Sequence, residues 1–340
     1  MRIDLAGWTR EATLGDHQAF LSLFERADRL GFDGVWFAEF HFRERLPYPS
    51  TLLLAAALFA RTERLRIGTS VLVLPLHHPL VLAEQLAQLD FQSAGRLDIG
   101  IGRGTDPETF AVLGIDHGTA RERFEAAFTV LRAALSGQRA SAADGPWRFS
   151  DVPLGPPPVQ RPHPPLYLAG STAETLRFAV AQDLPLLLSL EPPEARQLAI
   201  YRDELARAGR TDALARSSLS RYVCIGATQG EATERVDDLL PRLHRRRLAF
   251  AAARGIAPSD VPALDRAAVL RDQVIHGDPE ACHAAIVRLR ETTGIGALRC
   301  VFNGNGVLDN AAALAGMDLF AAEVLPALRQ AEAVRPATVC

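Results

Sequence analysis

The sequence contains no lysine, so its 37 Lys or Arg positions are all arginine. Schiff-base enzymes, pyridoxal phosphate enzymes and phosphate loops of the Walker type all need a lysine, and its absence excludes them. Cysteines are also scarce and far apart, without any Cys-x-x-Cys pair: Cys224, Cys282, Cys300 and Cys340. This spacing is not typical of a zinc site or a disulfide framework, so we expect them to be small apolar core residues.

Long apolar runs and an excess of one charge are missing as well. No apolar run approaches the roughly 20 residues of a membrane-spanning helix. The N-terminal segment Met1–Leu5 lacks the apolar core of a signal peptide. The formal net charge is −3, whereas proteins that bind nucleic acids or membrane surfaces carry a basic excess. We therefore expect a cytoplasmic protein that binds no nucleic acid and no membrane.

Apolar segments of strand type alternate with amphipathic helical segments along almost the whole chain. With 340 residues, 48% of them apolar, the chain can bury a large core. The pattern contains about eight strands, each followed by a helix, and it predicts an α/β fold. We expect a single (β/α)8 TIM barrel over residues 1–330, followed by a C-terminal tail over residues 331–340. Continuous apolar strands such as Val71–Leu74 and Leu186–Leu188 favour this parallel architecture.

Three segments predict the starts of helices. Ser50 can cap the apolar helix that follows it. The segments Thr119–Glu122 and Ser171–Glu174 have the spacing of capping boxes, with a hydroxyl residue followed three positions later by glutamate.

The alternative fold is an open doubly wound sheet, which typically has Gly-x-Gly-x-x-Gly after an early strand. The nearest segment, Gly100–Thr105, comes late and has threonine in place of the third glycine.

Two connections of the expected barrel are long: the proline-rich Gly137–Pro165 and the irregular Arg254–His276. The part Arg254–Gln273 forms a long loop before the last helix–strand unit, and its length predicts a mobile lid.

Active sites of such barrels lie at the carboxyl ends of the strands. Arg103, which lies between two glycines after the fourth strand, can bind an anion bidentately. Gly170 and Ser171 lie where the fifth strand turns into a helix, whose free N–H groups favour phosphate. Because the two predicted strands are neighbours, we expect Arg103 and Ser171 to form one phosphate site.

Histidines and asparagines supply further candidates at strand ends. His41, between two phenylalanines, is either an acid–base group, a hydrogen-bond donor to a reactive oxygen, or a structural histidine. His77 and His78 have no Asp, Glu or His at ligand spacing, so we expect no metal site there. Asn303–Gly306, after the last strand, is a second possible phosphate site or a tight turn.

These segments together resemble the bacterial luciferase family of flavin-dependent monooxygenases. The resemblance covers nearly the whole chain, and many short motifs in one order indicate more than any single motif. The C-terminal segments Phe302–Gly306 and Leu319–Phe320 resemble the luciferase α subunit in particular. The other motifs that carry the resemblance are Gly31–Trp36, Glu39–Phe42, Val73–Pro75, His78–Pro79, Ser93–Arg96, Gly100–Gly104, Gly170–Ser171, Gly277–Glu280 and Thr293–Ile295.

The resemblance implies a two-component monooxygenase. Reduced FMN (FMNH2) would come from a separate flavin reductase, and O2 would add to it as a C4a-(hydro)peroxyflavin that oxygenates a small organic substrate. Two alternatives stay open. One is an F420-dependent oxidoreductase on the same barrel, and the other is a non-catalytic flavin-binding protein.

The resemblance also implies roles for single residues. His41 would be catalytic and would orient or protonate the peroxide or the substrate. The peptide that joins Ser70 and Val71 would be cis and would pack on the flavin ring. The expected cofactor-binding residues are Arg103, Ser171 and Gly170 with Arg121 near the phosphate, and Ser70, Val71 and Glu39 elsewhere in the flavin site.

Two positions depart from the luciferases. Phe40 matches the luciferase catalytic histidine, and Gly102 matches its reactive cysteine. The first change removes the luciferase general base and argues against light emission from a fatty aldehyde.

A homodimer is expected through the helices Thr51–Ala60 and Pro79–Gln92, because the first of them is apolar on every side.

Overall fold

The computed structural model describes residues 1–8, 16–42, 48–143, 145–190, 194–210, 212–252, 255–304, 306 and 308–333. Its strands are β1 (Arg2–Ala6), β2 (Gly34–Phe37), β3 (Arg66–Val73), β4 (Leu97–Gly102), β5 (Ala140–Ala142), β6 (Phe149–Val152), β7 (Leu166–Leu168), β8 (Leu187–Leu188), β9 (Ser218–Ile225), β10 (Val274–Gly277) and β11 (Ala297–Val301). Its α-helices are α1 (His17–Leu30), α2 (Thr51–Phe59), α3 (Pro79–Gln92), α4 (Pro107–Val112), α5 (Ala120–Leu135), α6 (Ala173–Ala181), α7 (Glu194–Arg207), α8 (Ala213–Arg216), α9 (Gln229–Ala252), α10 (Arg266–Gln273), α11 (Pro279–Thr293), α12 (Asn310–Leu319) and α13 (Leu325–Ala333). The expected tail over 331–340 thus begins inside α13, and residues 334–340 lie outside the described residues.

The chain divides into two compact units. The first unit comprises Met1–Asp16, Arg29–Phe32 and Leu188–Cys340, and the second comprises His17–Asp28 and Asp33–Leu187. In the second unit, strands β2, β3, β4 and β7 pair in parallel in that order. In the first unit, strands β10, β9, β11 and β1 do the same. Parallel strands that alternate with helices confirm the predicted α/β fold class, while a single domain over residues 1–330 stays a prediction.

Local signals at the helix starts of the second unit were only partly predicted. Ser50 caps α2 by accepting a hydrogen bond from the Leu53 N–H at 3.4 Å, as expected. The capping box predicted at Thr119 is wrong in its hydrogen bonding. The Thr119 hydroxyl donates to the Asp116 carbonyl oxygen at 2.7 Å, although α5 does begin at the next residue.

The proline-rich connection Gly137–Pro165 has more regular structure than the sequence predicts. It contains the antiparallel hairpin of β5 and β6. Its last part is held by Asp90, which accepts a hydrogen bond from the Gln160 N–H at 2.9 Å. The Gln160 side chain accepts a hydrogen bond from Arg66 at 3.0 Å, and Arg66 forms a 2.7 Å ion pair with buried Asp98. These bonds lie at the amino ends of β3 and β4, away from the ends that carry the candidate site residues.

The segment Arg254–His276, expected to be irregular, contains the helix α10 and most of the strand β10. Asp265 caps α10 by accepting a hydrogen bond from the Ala268 N–H at 3.1 Å. Strand β10 pairs with β9, and its four residues are too few to show a period in the sequence. Arg254 itself lies outside the described residues. The motion expected of this segment stays a prediction.

The segment Asn310–Gln330 is long and apolar enough to cross a bilayer by length and composition alone. The sequence contains no unbroken apolar run of that length, because polar residues such as Asp318 and Glu323 interrupt the segment. In the structure Met317 and Phe320 are fully buried. The Phe320 ring contacts the rings of Phe32 and Phe302 within the first unit. These contacts are those of a core helix.

Candidate active site

A cavity of about 350 Å³ lies in the second unit, at the carboxyl ends of β2, β3, β4 and β7. Small-molecule sites typically measure roughly 300–1,000 Å³, so the cavity is large enough for a ligand. The alternative phosphate segment Asn303–Gly306 belongs to the first unit, and its described residues, Asn303, Gly304 and Gly306, are not among the lining residues. The lining includes every residue that the sequence analysis assigned to the site: Glu39, His41, Ser70, Val71, Arg103, Arg121, Gly170 and Ser171.

The pairing of β3 with β4 is interrupted next to the cavity. The register shifts between Thr69 and Leu72, so Ser70 and Val71 fall outside the regular ladder. The Thr69 hydroxyl holds the strands together there, because it donates to the Gly100 carbonyl oxygen at 2.8 Å and accepts the Gly100 N–H at 2.9 Å. The peptide between Ser70 and Val71 is cis, as the resemblance implies. Both residues line the cavity.

Arg103 follows β4, and both of its glycine neighbours pack tightly against β3. A Cβ atom on Gly102 would lie 2.7 Å from Val71 Cγ2. A Cβ atom on Gly104 would lie 2.6 Å from Val73 Cγ1, and Gly104 also has a φ of +81° that favours glycine. Among the described residues, Arg103 makes no hydrogen bond or ion pair, and it is exposed at the cavity. Its five N–H donors are therefore available to a ligand.

Ser171 lies directly before Thr172, the N-cap residue of α6. The expected capping box began at Ser171, but the N-cap residue is Thr172, whose hydroxyl accepts a hydrogen bond from the Thr175 N–H at 3.2 Å. The Ser171 hydroxyl is therefore not needed for the cap and remains at the cavity, near the positive end of the helix dipole. Because β4 and β7 pair directly, Arg103 and Ser171 follow adjacent strands, as predicted.

Arg121 lines the cavity from α5, but its guanidinium group is bound to two carboxylates. It lies 3.0 Å from Glu125 Oε1 and 2.7 Å from Glu174 Oε2. Glu174 is in the first turn of α6, so Arg121 ties α5 to the start of that helix. Since the two carboxylates offset its charge, Arg121 is a weaker candidate for binding an anion than Arg103.

A hydrogen-bonded cluster of Glu39, His41 and His77 lies beside the cavity. Glu39 Oε1 lies 2.9 Å from His41 Nε2 and 2.8 Å from His77 Nε2, and Glu39 Oε2 accepts the Val73 N–H at 2.7 Å. Burial alone would raise the pKa of Glu39. The hydrogen bonds from both imidazoles, the charge of His77 and the Val73 N–H outweigh burial and lower that pKa to about 2. An ionised carboxylate can only accept, so both imidazoles carry a proton at Nε2.

Glu39 and His41 both line the cavity, whereas His77 is not among the lining residues. The hydrogen bond to Glu39 raises the pKa of His41, although burial opposes the effect. His41 therefore keeps its extra proton to higher pH than a free imidazole does, and it can offer that proton to a bound molecule.

His77 is a member of this cluster that was not predicted from the sequence. Glu39 and His77 follow different strands, so their spacing along the chain gives no signal. The ligand atoms of Glu39, His41 and His77 lie within 4.8 Å of one another. Their N···O distances are those of charge-assisted hydrogen bonds, which account for the cluster. The absence of a metal ion stays a prediction.

Aromatic side chains supply much of the remaining wall. Phe40 and Phe110 both line the cavity, and the Phe110 ring lies next to Gly104. Phe124 and Phe178 contact each other edge to face, with ring centroids 5.7 Å apart. An apolar wall together with an arginine and a helix N-terminus fits a ligand that combines a flat ring system with an anionic group.

Comparisons with known proteins identify the family that this chain resembles. The family described as luciferase-like monooxygenase matches residues 4–295. Limonene 1,2-monooxygenase of Rhodococcus erythropolis is 30% identical over 336 residues, covering 95% of this chain and 84% of that protein. The alkanal monooxygenase alpha chain of Photorhabdus laumondii is 26% identical over 328 residues, covering 89% and 90%. An uncharacterized protein of Sinorhizobium fredii, y4wF, is 38% identical over 159 residues, and here the match spans about half of each protein, 47% and 46%.

Solved structures match over nearly the whole chain. Monooxygenase RslO1 from Streptomyces bottropensis has a TM-score of 0.79 at 25% identity, covering 96% of this chain and 100% of that chain. The oxygenating constituent of 3,6-diketocamphane monooxygenase from Pseudomonas putida, in complex with FMN, has a TM-score of 0.76 at 20% identity, covering 96% and 98%. An F420-dependent secondary alcohol dehydrogenase has a TM-score of 0.72 at 17% identity, covering 96% and 99%.

These matches confirm two predictions from the sequence. The two matched monooxygenase structures are luciferase-like TIM barrels, which confirms the predicted fold class. The family match extends over most of the chain and includes all the strands that surround the cavity. The chain therefore belongs to the luciferase-like monooxygenase family, a family of oxidoreductases.

Proposed function

We propose that this protein is the oxygenase component of a flavin-dependent monooxygenase, which uses reduced FMN and O2 to oxygenate a small organic substrate. The observation that carries this proposal is the convergence of Arg103, Ser171 and the Ser70–Val71 peptide on one cavity. The FMN bound by the diketocamphane neighbour supports the choice of cofactor.

The residues at the cavity fit FMN. Arg103 and the Ser171 hydroxyl would bind the phosphate, helped by the N–H groups at the start of α6. Gly170 lets the chain pass close to Thr175, because a Cβ atom there would lie 2.5 Å from Thr175 Cγ2. Val71 and the aromatic wall would contact the ring system.

Bound reduced FMN supplies two electrons for the reduction of O2, so that one oxygen atom enters the substrate and the other leaves as water. The protein would hold the reactants and exclude bulk water, which protects reactive species from side reactions. Phe40 and Phe110 provide apolar surface for this purpose. His41, fixed by Glu39, would hold or deliver a proton at the cavity wall.

A separate reductase would deliver the reduced FMN. The nearest approach to a dinucleotide-binding fingerprint in the sequence, Gly100–Thr105, is instead part of β4 and the cavity wall. The diketocamphane neighbour is named as an oxygenating constituent, which supports a two-component system. We further propose that the protein acts in the cytoplasm, without nucleic acid or membrane partners.

A homodimer is part of the same proposal. Three large apolar side chains on α2 and α3 are exposed to solvent: Leu53 by 75%, Val81 by 51% and Phe91 by 61%. Exposed apolar side chains on two contacting helices favour a protein partner. A second copy of this chain would cover them.

The experiment that tests the proposal is a binding titration with FMN, reduced FMN and F420, followed by mixing with O2. We expect reduced FMN to bind most tightly, and we expect the protein to slow the release of hydrogen peroxide relative to free reduced FMN. Incubation with limonene and with a cyclic diketone, under isotope-labelled O2, should then give a product that carries one labelled oxygen atom.

Two results would overturn the proposal. Binding of F420 with anaerobic reduction of a substrate would favour hydride transfer, an alternative supported by the likeness to an F420-dependent dehydrogenase. Tight flavin binding without any change in peroxide release or in product would identify a non-catalytic flavin-binding protein. Arg103→Ala is the control, because it should weaken FMN binding and return peroxide release to the rate of free reduced FMN.

A further inference from the structure

Two imidazoles share a single carboxylate oxygen at the edge of the cavity. His41 and His77 both donate to Glu39 Oε1, at 2.9 and 2.8 Å. The other oxygen, Oε2, is already occupied by the Val73 N–H at 2.7 Å. The Glu39 side chain is only 3% exposed, so water does not substitute freely for either imidazole. The shared oxygen therefore couples His41 at the cavity to a histidine that does not line it.

We propose that His77 is a positioning residue for His41. By donating to the same Glu39 oxygen, His77 weakens the hydrogen bond between Glu39 and His41. His77 thereby sets the pH range in which His41 carries its extra proton. Because Glu39 Oε1 accepts from both imidazoles, each of the two hydrogen bonds weakens the other. The effect of His77 on His41 can be measured without any activity, but its expected effect on catalysis rests on the proposed function.

The direction of the effect follows from the anchoring of Glu39. Val73 is the last residue of β3, and its backbone N–H holds Glu39 Oε2 whether or not His77 is present. Loss of the His77 imidazole therefore leaves Glu39 Oε1 facing His41 without a competitor. The bond between His41 and Glu39 becomes stronger, and His41 keeps its extra proton to higher pH.

Other charges near His41 stay the same when His77 is replaced. Among the described residues, Glu39 is the hydrogen-bond partner of the His41 side chain, and the His41 ring lies 5.7 Å from the Phe42 ring between centroids. Residues 43–47, which follow directly, lie outside the described residues. The other charged residues that line the cavity come from the segment after β4 and from α5: Arg103, Asp106, Arg121 and Glu125.

The test is an NMR titration of the histidine rings in the full-length, flavin-free protein, with the His41 signal assigned through His41→Gln. In His77→Phe, which has no donor, we expect the His41 midpoint to rise by about 0.5–1 pH unit. In His77→Gln, which keeps a neutral N–H donor, the rise should be smaller. In Glu39→Gln the midpoint should fall by about 1 pH unit or more.

The neighbouring histidine provides a matched control. The His78 ring packs near Trp147 and Phe149, with centroids 6.1 and 6.0 Å away, and not against Glu39. We therefore expect His78→Gln to leave the His41 midpoint unchanged. A similar shift in His78→Gln and His77→Phe would overturn the proposal, because it would reflect a general change in this segment.

The proposal also fails if the His41 midpoint stays the same or falls in His77→Phe, with thermal unfolding showing a folded protein. If His77→Phe does not fold, His77→Gln decides the question, since a midpoint equal to or below that of the wild type contradicts the shared-oxygen coupling.

Activity separates this proposal from the proposed function. If His41 supplies a proton during oxygenation, kcat should fall with pH around the His41 midpoint. In His77→Gln this fall in kcat should move along the pH scale by the same amount as the NMR midpoint. The KM for reduced FMN should stay the same, because His77 is not among the residues that line the cavity. A shifted NMR midpoint with an unmoved pH profile supports the positioning of His41 and overturns its proposed role in the reaction. An unmoved NMR midpoint overturns the positioning itself.

Discussion

A Cβ atom on Gly102 would lie 2.7 Å from Cγ2 of Val71, which is closer than Cβ atoms approach a neighbour in real structures. Val71 lines the cavity beside the cis peptide, and Gly102 is the last residue of the strand β4 that pairs with β3. The absence of a side chain at residue 102 therefore decides where the Val71 side chain lies. A larger residue at this position has to displace Val71 or the backbone that carries it.

Gly102→Ala should reduce FMN binding about tenfold, which corresponds to about 1.4 kcal/mol. The added methyl group should also cost about 1–3 kcal/mol of stability, because the site is already closely packed. Fluorescence titration with FMN and urea unfolding measure the two effects. Gly230→Ala is the control, since a Cβ atom there would make an ordinary 3.7 Å contact with Thr228. Unchanged FMN affinity in Gly102→Ala would mean that Val71 does not contact the flavin.

Arg103→Ala should weaken FMN binding by about 1.5–3 kcal/mol, the range for a hydrogen bond to a charged group. Binding of riboflavin, which lacks the phosphate, should change little. Arg121→Ala should have a smaller effect on FMN, because Glu125 and Glu174 already offset the charge of Arg121. Parallel titrations with FMN and riboflavin measure all three differences. Equal affinity of the wild type for FMN and riboflavin would contradict a phosphate site at Arg103.

The predictions that hold are those that depend on local pattern and on parallel topology. Arg103 and Ser171 could be placed together because residues that follow adjacent parallel strands meet at one edge of the sheet. Ser50 could be identified as a cap because the cap and the residue it binds are three positions apart. Both arguments need only short-range sequence and the order of the strands.

The features that the sequence did not predict depend on long-range contacts. His77 joins Glu39 and His41 only because the segments after β2 and β3 meet in space. Strand β10 is too short to show a period, and its pairing with β9 stabilises it from outside. The cap of α6 at Thr172 instead of Ser171 is a choice between adjacent hydroxyls that the sequence leaves open.

The exposed apolar residues of α2 and α3 predict a dimer that a single charge can disrupt. Leu53→Glu should shift the protein to a monomer at micromolar concentration, because it would place a charge in an apolar interface. Phe91→Glu should have the same effect, since Phe91 is exposed on the neighbouring helix. Val112→Glu is the control, because Val112 is 64% exposed at the end of α4. Sedimentation velocity measures the mass. A wild-type monomer, or a dimer that survives both charges, would contradict this interface.

Glu39 should make stability depend on pH in the acid range. Its pKa is about 2 in the folded protein, against an ordinary value of 4.5. A carboxyl group with a lowered pKa stabilises the folded state while it is ionised, because the unfolded state takes up the proton first as pH falls. Its contribution, about 3 kcal/mol for this shift, is complete above pH 4.5 and is lost as pH falls toward 2. The contribution of His41 to stability has the opposite pH dependence, because the pKa of His41 is raised in the folded protein. This contribution is present at low pH and is lost as pH rises through the raised pKa.

Urea unfolding of the wild type and of Glu39→Gln, measured between about pH 6 and about pH 3, tests this dependence. The wild type should be the more stable protein at the upper end of the range. The difference between the two free energies of unfolding should then shrink below pH 4.5, where the unfolded wild type begins to bind the proton. Asp238→Asn is the control: it removes an exposed carboxylate 2.8 Å from Arg242, and exposed ion pairs contribute little to stability. A difference that is the same across the whole pH range would contradict the ionised, hydrogen-bonded state of Glu39, since only a group whose pKa differs between the folded and unfolded states links stability to pH.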